Sequence, residues 1–181
     1  LIRVLDDPTS PKPLRIAILK SLHHGITEER ISTLVASLKD SDPEIRGEAV
    51  TTLGLTAQDR VTESLLPLLD DESVLIQRRV AAALGKTRSR KALTPLSSIS
   101  FDRSRDRVLR ITAIKSLARL GPDKEIVQRL QDLSKDESEH NEIQKIALDV
   151  LSGLEWLDDE AKKRQTGILI DEMRSGTHER R

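Results

Sequence analysis

The stretch LKDSDPEIRGEAVTTLG, residues 38–54, carries the signals of a turn followed by one helix. Asp42 and then Pro43 are typical of a helix start, because aspartate can accept a hydrogen bond from a free backbone N–H and proline fits the first turn. Apolar residues four apart then mark one helix face, at Ile45, Ala49 and Leu53. The stretch predicts an amphipathic helix with a defined beginning.

The same apolar stripe recurs along the chain. The leucines that close it, at intervals of 31, 31, 33 and 34 residues, are Leu22, Leu53, Leu84, Leu117 and Leu151. The residues four positions earlier are Ile18, Ala49, Val80, Ala113 and Ala147. The residues eight positions earlier are Leu14, Ile45, Ile76, Leu109 and Ile143. Such self-similarity at a fixed interval predicts a repeat array.

Two further positions recur with this stripe. A long polar side chain stands seven residues before each closing leucine, at Arg15, Arg46, Gln77, Arg110 and Gln144. Glycine directly follows two closing leucines as Gly54 and Gly85, and Gly121 comes after the fourth helix. Because glycine adopts the left-handed conformation without strain, we expect these glycines to end their helices.

A second, shorter apolar stretch follows each stripe, so each repeat is expected to be a helix pair. Pro67 and Pro95 fall inside two of these second helices, which should be short, kinked or begun late. The fold expected is all-α, an α-α superhelix (α-solenoid) of about five helix pairs. Composition agrees, because Phe101 and Trp156 are the only aromatic residues and the core must be aliphatic.

The residues 38–54 resemble a short HEAT-like repeat, of the type first noted in phycobilisome lyases, and residues 69–85 look similar. The resemblance covers residues 1–153, which we expect to be a repeat array that begins in mid-repeat. Capping helices are expected over 154–174 and a frayed tail over 175–181. The resemblance also implies a ladder of hydrogen bonds between successive repeats, with its matching residues at Asp40, Asp42, Arg15, Arg46 and Arg110.

The formal net charge of zero conceals three blocks of different sign. Residues 1–76 hold 8 basic and 13 acidic side chains, residues 77–119 hold 12 and 2, and residues 120–181 hold 10 and 15. We call the central block the basic belt. Its candidate binding residues are Arg78, Arg79, Lys86, Arg88, Arg90, Lys91, Arg103, Arg105, Arg107 and Arg110, with Lys115 and Arg119 as further members. The belt predicts a local positive potential.

Three interpretations of the belt remain open. It can bind a protein that presents an acidic or phosphorylated segment, or the phosphates of a nucleic acid. Phe101 is the one aromatic residue within this block, so the aromatic interleaving that would provide a platform for base stacking is lacking. It can also simply neutralise the acidic repeats on either side. Its two arginine-rich turns could lie on opposite edges of the stack and form two patches.

Catalytic patterns are missing from the sequence. The four histidines, His23, His24, His140 and His178, have no metalloprotease spacing, and the single His-Glu pair does not match the repeated pairs of deoxyhypusine hydroxylases. Cysteine is absent, and no glycine-rich phosphate loop or serine elbow is present. We therefore expect no catalytic residue, metal or cofactor. A bilin lyase-like activity, implied by the resemblance, is a remote alternative.

The leading interpretation is a non-catalytic scaffold for protein–protein interaction, with nucleic-acid binding as the second. The longest aliphatic run is far shorter than the roughly 20 residues of a membrane span, and the lack of cysteine favours the cytoplasm. The partner and the oligomeric state are left open by the sequence. The leucine at the first position suggests that the chain was cut from a longer protein.

Overall fold

The structure is a computed structural model that describes residues 2–5, 7, 10–22 and 27–154. Regular structure over these residues is helical and includes no strand, which confirms the predicted all-α class. The chain divides into two compact units, Leu1–Ile126 and Val127–Arg181. Each unit is considered on its own.

The first unit contains eight complete helices over its described residues. They are α1 (Ile2–Leu5), α2 (Lys12–Ser21), α3 (Glu28–Ser37), α4 (Pro43–Leu55), α5 (Thr62–Leu65), α6 (Val74–Leu84), α7 (Leu93–Phe101) and α8 (Arg107–Leu120). Helix α9 (Lys124–Lys135) begins in the first unit and ends in the second, where helix α10 covers residues 141–154. Three short 3-10 helices lie at Asp59–Val61, Leu66–Asp70 and Arg90–Ala92.

The first unit is an α-solenoid of two helical layers. The helices with the long apolar stripe, α2, α4, α6 and α8, pack side by side as the first layer. In the second layer α3 packs on α4, the 3-10 helix Leu66–Asp70 packs on α6, and α7 packs on α8. The stripe lies between the layers, and its closing leucines at 53, 84 and 117 are fully buried. The predicted solenoid is confirmed.

The turns of this stack lie on two edges, because neighbouring helices in sequence run in opposite directions. The aspartate edge comprises the turns of residues 38–42, 71–73 and 102–106, which lead into α4, α6 and α8. The glycine edge comprises the turns of residues 56–61, 85–92 and 121–123, which follow the same helices.

The prediction for Leu14 is wrong. Its side chain is 47% exposed, whereas Ile45, Ile76 and Leu109 at the equivalent position are buried. Those three are covered by the second-layer segment before their helix, while the only described helix before α2 is the four-residue α1. A residue at this position of the repeat is buried only where a second-layer segment of the preceding repeat packs over it.

The three glycines expected to end helices in the left-handed conformation differ in outcome: Gly121 does so, Gly85 ends α6 but is not left-handed, and Gly54 ends no helix. Gly54 lies inside α4, and Gly85 has a right-handed φ of −63°. A Cβ atom on Gly54 would stand 2.7 Å from the Cβ of Ala83, and one on Gly85 would stand 2.9 Å from the Cα of Ser116. Glycine is needed there so that α4, α6 and α8 can approach closely. Gly121 is left-handed as predicted, with φ 73°.

The second-layer helices are irregular where proline was expected to disturb them. Helix α5 ends at Leu65, and Pro67 lies in the 3-10 helix that follows it. Helix α7 begins only at Leu93, so that Pro95 occupies its first turn, where no helical N–H is lost. Both prolines therefore fit their positions.

The second unit is described up to residue 154. Ile143 and Ala147 are fully buried in α10, and the closing Leu151 is buried as well. The expected capping helices over 154–174 and the tail over 175–181 lie outside the described residues except for residue 154, the last one described in α10. These boundaries, and the start in mid-repeat, stay predictions.

Candidate interaction surface

Arg15 links the first described repeat to the turn that follows it. Its Nη2 donates to the carboxylate of Asp40, in the turn that leads into α4, and to the carbonyl oxygen of Leu5 at 2.9 Å. The other carboxylate oxygen of Asp40 accepts the backbone N–H of Asp42 at 2.9 Å, which shapes the turn. Asp40 thus links its own turn to α2, the first-layer helix of the preceding repeat.

Arg46 repeats this arrangement in the next helix with more bonds. Its Nε and Nη2 donate to the two carboxylate oxygens of Asp71 at 2.9 and 3.0 Å, which is the strong bidentate geometry. Its Nη1 donates to the carbonyls of Asp40 and Ser41 at 2.9 and 3.0 Å. Burial raises the pKa of Asp71, but the bonds and charge of Arg46 together with the N–H of Ser73 hold that pKa below the usual 3.8. The guanidinium joins two successive turns.

The polar position seven residues before each closing leucine has a common bonding role. Gln77 donates to the carbonyl of Asp71 at 2.6 Å, and Arg110 donates through Nε to the carbonyl of Ser100 at 3.1 Å. In the second unit Gln144 donates to the carbonyl of Asp136 at 2.5 Å. A long donor suits this position because these carbonyls are at least partly buried where the preceding helix or turn ends, and so need a partner.

Asp42 differs from the ladder role that the resemblance implies. Its carboxylate accepts the backbone N–H of Glu44 at 2.8 Å as the N-cap of α4, and its ion pair is with Lys12 at 2.9 Å. The bond from Lys12 is the main reason why the pKa of Asp42 lies below its usual value. Asp42 is therefore linked to α2, the preceding first-layer helix, by the surface lysine Lys12 and not by an arginine.

Sequence reasoning missed Asp71 and Asp102 as members of the aspartate edge. Asp71 accepts the N–H of Ser73 at 2.9 Å, and Asp102 accepts the N–H and the hydroxyl of Ser104 at 2.9 and 2.7 Å. Together with Asp40 these aspartates recur every 31 residues. The interval of 31 residues could have identified these aspartates in the sequence. Each of them also binds the backbone N–H two residues later.

The basic belt is divided between the two edges. Lys86 to Lys91 lie on the glycine edge before α7, and Arg103 to Arg107 lie on or beside the aspartate edge after it. Helix α7 has nine residues and therefore separates them by about 13 Å along its axis. The two arginine-rich turns of the belt therefore lie on different edges of the stack.

Acidic side chains engage several belt residues, mostly between adjacent helices and turns. Arg78 pairs with Asp106 at 2.9 Å and so links α6 to the N-cap of α8. The other pairs are Arg79 with Glu48 at 3.1 Å, Arg105 with Asp70 at 2.5 Å, and Lys91 with Glu63 at 2.5 Å. Much of the belt's charge is thus neutralised within the stack.

Arg110 cannot contact a partner as a member of the belt. Its side chain is 2% exposed and is held under the end of α7 by its bond to Ser100. Arg103 and Arg107 are exposed but also engaged in interactions within the chain. The belt residues on the aspartate edge therefore mainly make contacts within the chain.

Four exposed cations differ from these: Lys86, Arg88, Lys115 and Arg119. Among the described residues, no hydrogen bond or ion pair engages their side chains. All four lie on the glycine edge or in the adjoining half of α8, and Arg90 beside them donates to the carbonyl of Gly121 at 3.2 Å. They form a cationic cluster, the glycine-edge cluster.

Large apolar side chains are exposed on the outer face of the first-layer helices. The exposed fractions are 53% for Leu55 on α4, 40% for Val74 and 56% for Leu75 on α6, and 43% for Val108 on α8. Leu75 and Val108 each precede the closing leucine by nine residues, so they occupy equivalent positions on two helices that pack together. We call the surface that carries these four residues the outer face.

Sites for catalysis are not apparent in the part of the chain that the structure describes. There, no group of three or more histidine, aspartate and glutamate side chains is placed to hold a metal ion. The histidines at 23, 24 and 178 lie outside the described residues. Within that same part, none of the helices has the length and apolarity needed to cross a membrane.

Comparison with known protein families identifies the repeat. Residues 31–108 match the family model described as HEAT repeats. This segment is an array of HEAT repeats. The match begins within α3 and ends within α8, and it covers the ladder built by Arg46 and Asp71. The resemblance of these repeats to HEAT-like repeats is confirmed, and no curated protein matches the chain significantly.

Solved structures share the fold. One is the complex of CpcE and CpcF of phycocyanin lyase from Nostoc sp. PCC7120, at 23% identity and a TM-score of 0.63, covering 82% of this chain and 94% of that one. Another is human deoxyhypusine hydroxylase, at 20% identity and a TM-score of 0.60, where 82% of this chain spans 59% of the hydroxylase. Identities this low show the fold alone.

A designed armadillo repeat protein in complex with the peptide (KR)4 is also similar. Its identity is 19% and its TM-score 0.57, with 83% of this chain and 79% of that chain covered. The fold is therefore found both in proteins named for enzymes and in a designed peptide binder.

Proposed function

We propose that this chain is a non-catalytic scaffold that binds another protein through the outer face of α4, α6 and α8. The observation that carries the proposal is the exposure of Leu55, Val74, Leu75 and Val108 on three helices that pack side by side. Single exposed apolar residues are ordinary, but a group of them on one surface is typical of protein-interaction sites.

The pattern of variation between repeats supports this proposal. The buried positions hardly change from α4 to α6 to α8, as Ile45, Ile76 and Leu109 illustrate. The exposed position one residue earlier changes from glutamate in α4 to leucine in α6 and valine in α8. A stack whose core is uniform can vary its surface without loss of packing, so the surface is free to match a partner.

Binding of a nucleic-acid backbone is the alternative, and three observations weigh against it. The belt is split by α7, and arginines such as Arg105 are paired with acidic residues. Phe101 is the only aromatic side chain among the described residues, and it is half-buried at the end of α7. A duplex would therefore meet neither a continuous cationic surface nor a stacking platform.

Enzymatic activity is not part of the proposal. The hydroxylase and the phycocyanin lyase resemble this chain in fold, and a shared repeat fold does not specify chemistry. Bilin lyase-like activity is checked directly by titrating a bilin into the protein and following its absorbance. A saturable spectral change would contradict the non-catalytic proposal. A cytoplasmic location fits the lack of cysteine and stays a prediction.

The protein-binding proposal is tested by selection from a random peptide library displayed on phage. We expect enriched peptides to bind the purified chain with micromolar dissociation constants, and to bind about 10-fold more weakly to a Leu55→Ser/Leu75→Ser/Val108→Ser variant. Leu148→Ser, which alters an equally exposed leucine in α10, is the control and should bind as the unchanged protein does.

Failure to enrich any peptide, or equal binding to the triple variant, would contradict the proposal. The same protein is titrated with a labelled duplex of arbitrary sequence over a salt series, with Arg103, Arg105 and Arg107 changed to Glu as the comparison. Binding that falls steeply and linearly with salt on a log-log plot, and is lost in that variant, would favour the phosphate backbone instead.

A further inference from the structure

We propose that the glycine-edge end of the outer face binds an extended acidic segment of the protein partner. Such a segment would place one hydrophobic side chain on Leu55 and two carboxylates on Lys86 and Arg119. This inference rests on the proposed protein-binding function and specifies the chemistry of its partner.

The three receiving side chains form a row across three helices. Leu55, Lys86 and Arg119 each follow the closing leucine of their repeat by two residues. Helix α4 packs on α6 and α6 on α8, and each pair has a close approach just beside the row. Gly54 abuts Ala83 there, and Gly85 abuts Ser116. Leu55 ends α4, Lys86 lies in the turn directly after α6, and Arg119 lies in the last turn of α8, so the row follows the glycine-edge ends of three neighbouring helices.

The cations of this row are available to a ligand. Lys86 and Arg119 are exposed, and neither has a bonding partner within the described part of the chain. Lys115 lies one helical turn before Arg119, and Arg88 lies in the turn after Lys86. Several like charges held together without counter-charges produce a positive potential that an anionic segment relieves.

Acidic residues bound the cluster on both sides, which limits the size of the anion. On the α5 side Lys91 is occupied by Glu63 at 2.5 Å, with Asp59 close enough to act on the same lysine. On the other side Asp123 directly precedes α9 and Glu125 lies in its first turn, with Lys124 between them. A long polyanion such as a DNA duplex would run into these carboxylates, whereas a short peptide segment with a few acids avoids them.

The spacing of the row defines a sequence pattern. Packed helices lie about 8–10 Å apart, so successive members of the row are separated by about that distance. A polyproline II segment rises about 3.1 Å per residue and has three residues per turn, which presents every third residue on one side about 9 Å apart. The expected pattern is a hydrophobic residue followed by Asp or Glu three and six positions away, in either chain direction.

The test uses fluorescently labelled peptides that contain Leu-Pro-Ser-Glu-Pro-Ser-Glu, titrated with the full chain and followed by anisotropy. A peptide of equal composition, Leu-Glu-Pro-Ser-Ser-Glu-Pro, has its acids out of register. We expect saturable binding of the first peptide and about 10-fold weaker binding of the second, a difference of about 1.4 kcal/mol. Equal binding of the two peptides, or no saturation by the first at low salt, would overturn the inference.

Charge reversal supplies the second arm. Lys86→Glu/Arg119→Glu should weaken binding about 10-fold or more, while the control Lys39→Glu/Lys145→Glu changes net charge equally at two other exposed lysines and should leave binding within about twofold. All four side chains lack bonds within the described residues, so both variants are expected to fold, which circular dichroism checks. An equal loss in the control would overturn the inference, because bulk charge would then explain binding.

Failure of this inference is distinguishable from failure of the proposed function. If library-selected peptides bind the outer face but retain their affinity for the Lys86→Glu/Arg119→Glu variant, the scaffold proposal stands and the acidic segment does not. If a DNA duplex binds through Lys86 and Arg119 and the acidic peptide does not, the cluster is a phosphate-binding surface and the inference is wrong.

Discussion

The aspartate edge and the glycine edge contain the same kinds of cationic residue and use them differently. On the aspartate edge, Arg46 donates to Asp71 and to the preceding turn, and Arg105 pairs with Asp70. On the glycine edge, Lys86 and Arg119 are exposed without such partners in the described structure. The comparison teaches that local charge density alone does not identify a binding surface, since the availability of each side chain decides.

Removing a cationic side chain should also have different effects on stability at the two edges. A buried guanidinium that joins two turns contributes to the stability of the stack, because its loss leaves a carboxylate without its charged partner in a poorly hydrated place. Among the described residues, the carboxylate of Asp71 would keep only the N–H of Ser73. An exposed unpaired cation, by contrast, contributes little to stability and is free for a ligand. The following substitutions separate these two roles, beginning with the largest expected effect.

Arg46→Ala should reduce the free energy of unfolding by about 3–5 kcal/mol, because it removes the partner of a buried carboxylate. The side chains of Arg46 and Asp71 are each only 9% exposed. Urea denaturation followed by circular dichroism measures the change. Arg79→Ala removes a more exposed arginine paired with Glu48, and it should cost less than about 1 kcal/mol. Equal losses in the two variants would show that the ladder has no special stabilising role.

Gly85→Ala should destabilise the chain by about 1–3 kcal/mol, because the new methyl group would overlap Ser116 and force α6 and α8 apart. Gly153→Ala is the matched control, since a Cβ atom there meets no atom within 4 Å. Alanine favours a helix over glycine by up to about 1 kcal/mol, so the control should be neutral or stabilising. Thermal denaturation measures both variants, and stabilisation by Gly85→Ala would contradict the close approach.

Asp71→Asn should weaken the dependence of the free energy of unfolding on pH in the acidic range. The pKa of Asp71 is lowered in the folded state, so its stabilising contribution is complete above the usual value of 3.8 and is lost as the pH falls through the folded pKa. The difference in unfolding free energy between the unchanged protein and the variant should therefore shrink below about pH 4. Urea denaturation at several pH values measures it, and parallel curves would contradict the assignment.

Lys86→Ala/Arg119→Ala should have the smallest effect on stability, within about 0.5 kcal/mol, because neither side chain is bonded within the described structure. The same variant should still lose affinity for the in-register acidic peptide. Denaturation and anisotropy on one preparation measure both quantities. A large loss of stability with unchanged peptide binding would contradict this prediction. It would show that Lys86 and Arg119 stabilise the stack, as the arginines of the aspartate edge do.

Much of the fold was predictable from the repeating pattern. The apolar stripe identified the buried face of α4, α6 and α8, because side chains four residues apart on a helix share one side. The prediction was wrong for Leu14, since burial requires a covering segment that the stripe does not itself describe. Asp42 was correctly expected to begin α4, because an N-cap depends on atoms only two residues away.

The candidate site was predictable only in part. The belt was found by its charge, but Arg110 is buried and Lys91 is paired with Glu63, 28 residues away in the sequence. Gly54 was expected to end a helix but lies inside α4, and Gly85 ends α6 without the expected left-handed conformation; both let neighbouring helices touch. Neither result follows from the local sequence, because each depends on which residue of another repeat lies opposite.

By itself the sequence determined the all-α class, the repeat length, the buried stripe and the excess of cations in the middle of the chain. These properties depend on helical periodicity and composition, which operate over neighbouring residues. Tertiary structure alone decided which cations are neutralised, which edge each turn occupies, and that Leu55, Lys86 and Arg119 form one row. The physical reason is that ion pairing and exposure depend on distances of a few ångströms between residues about 30 positions apart.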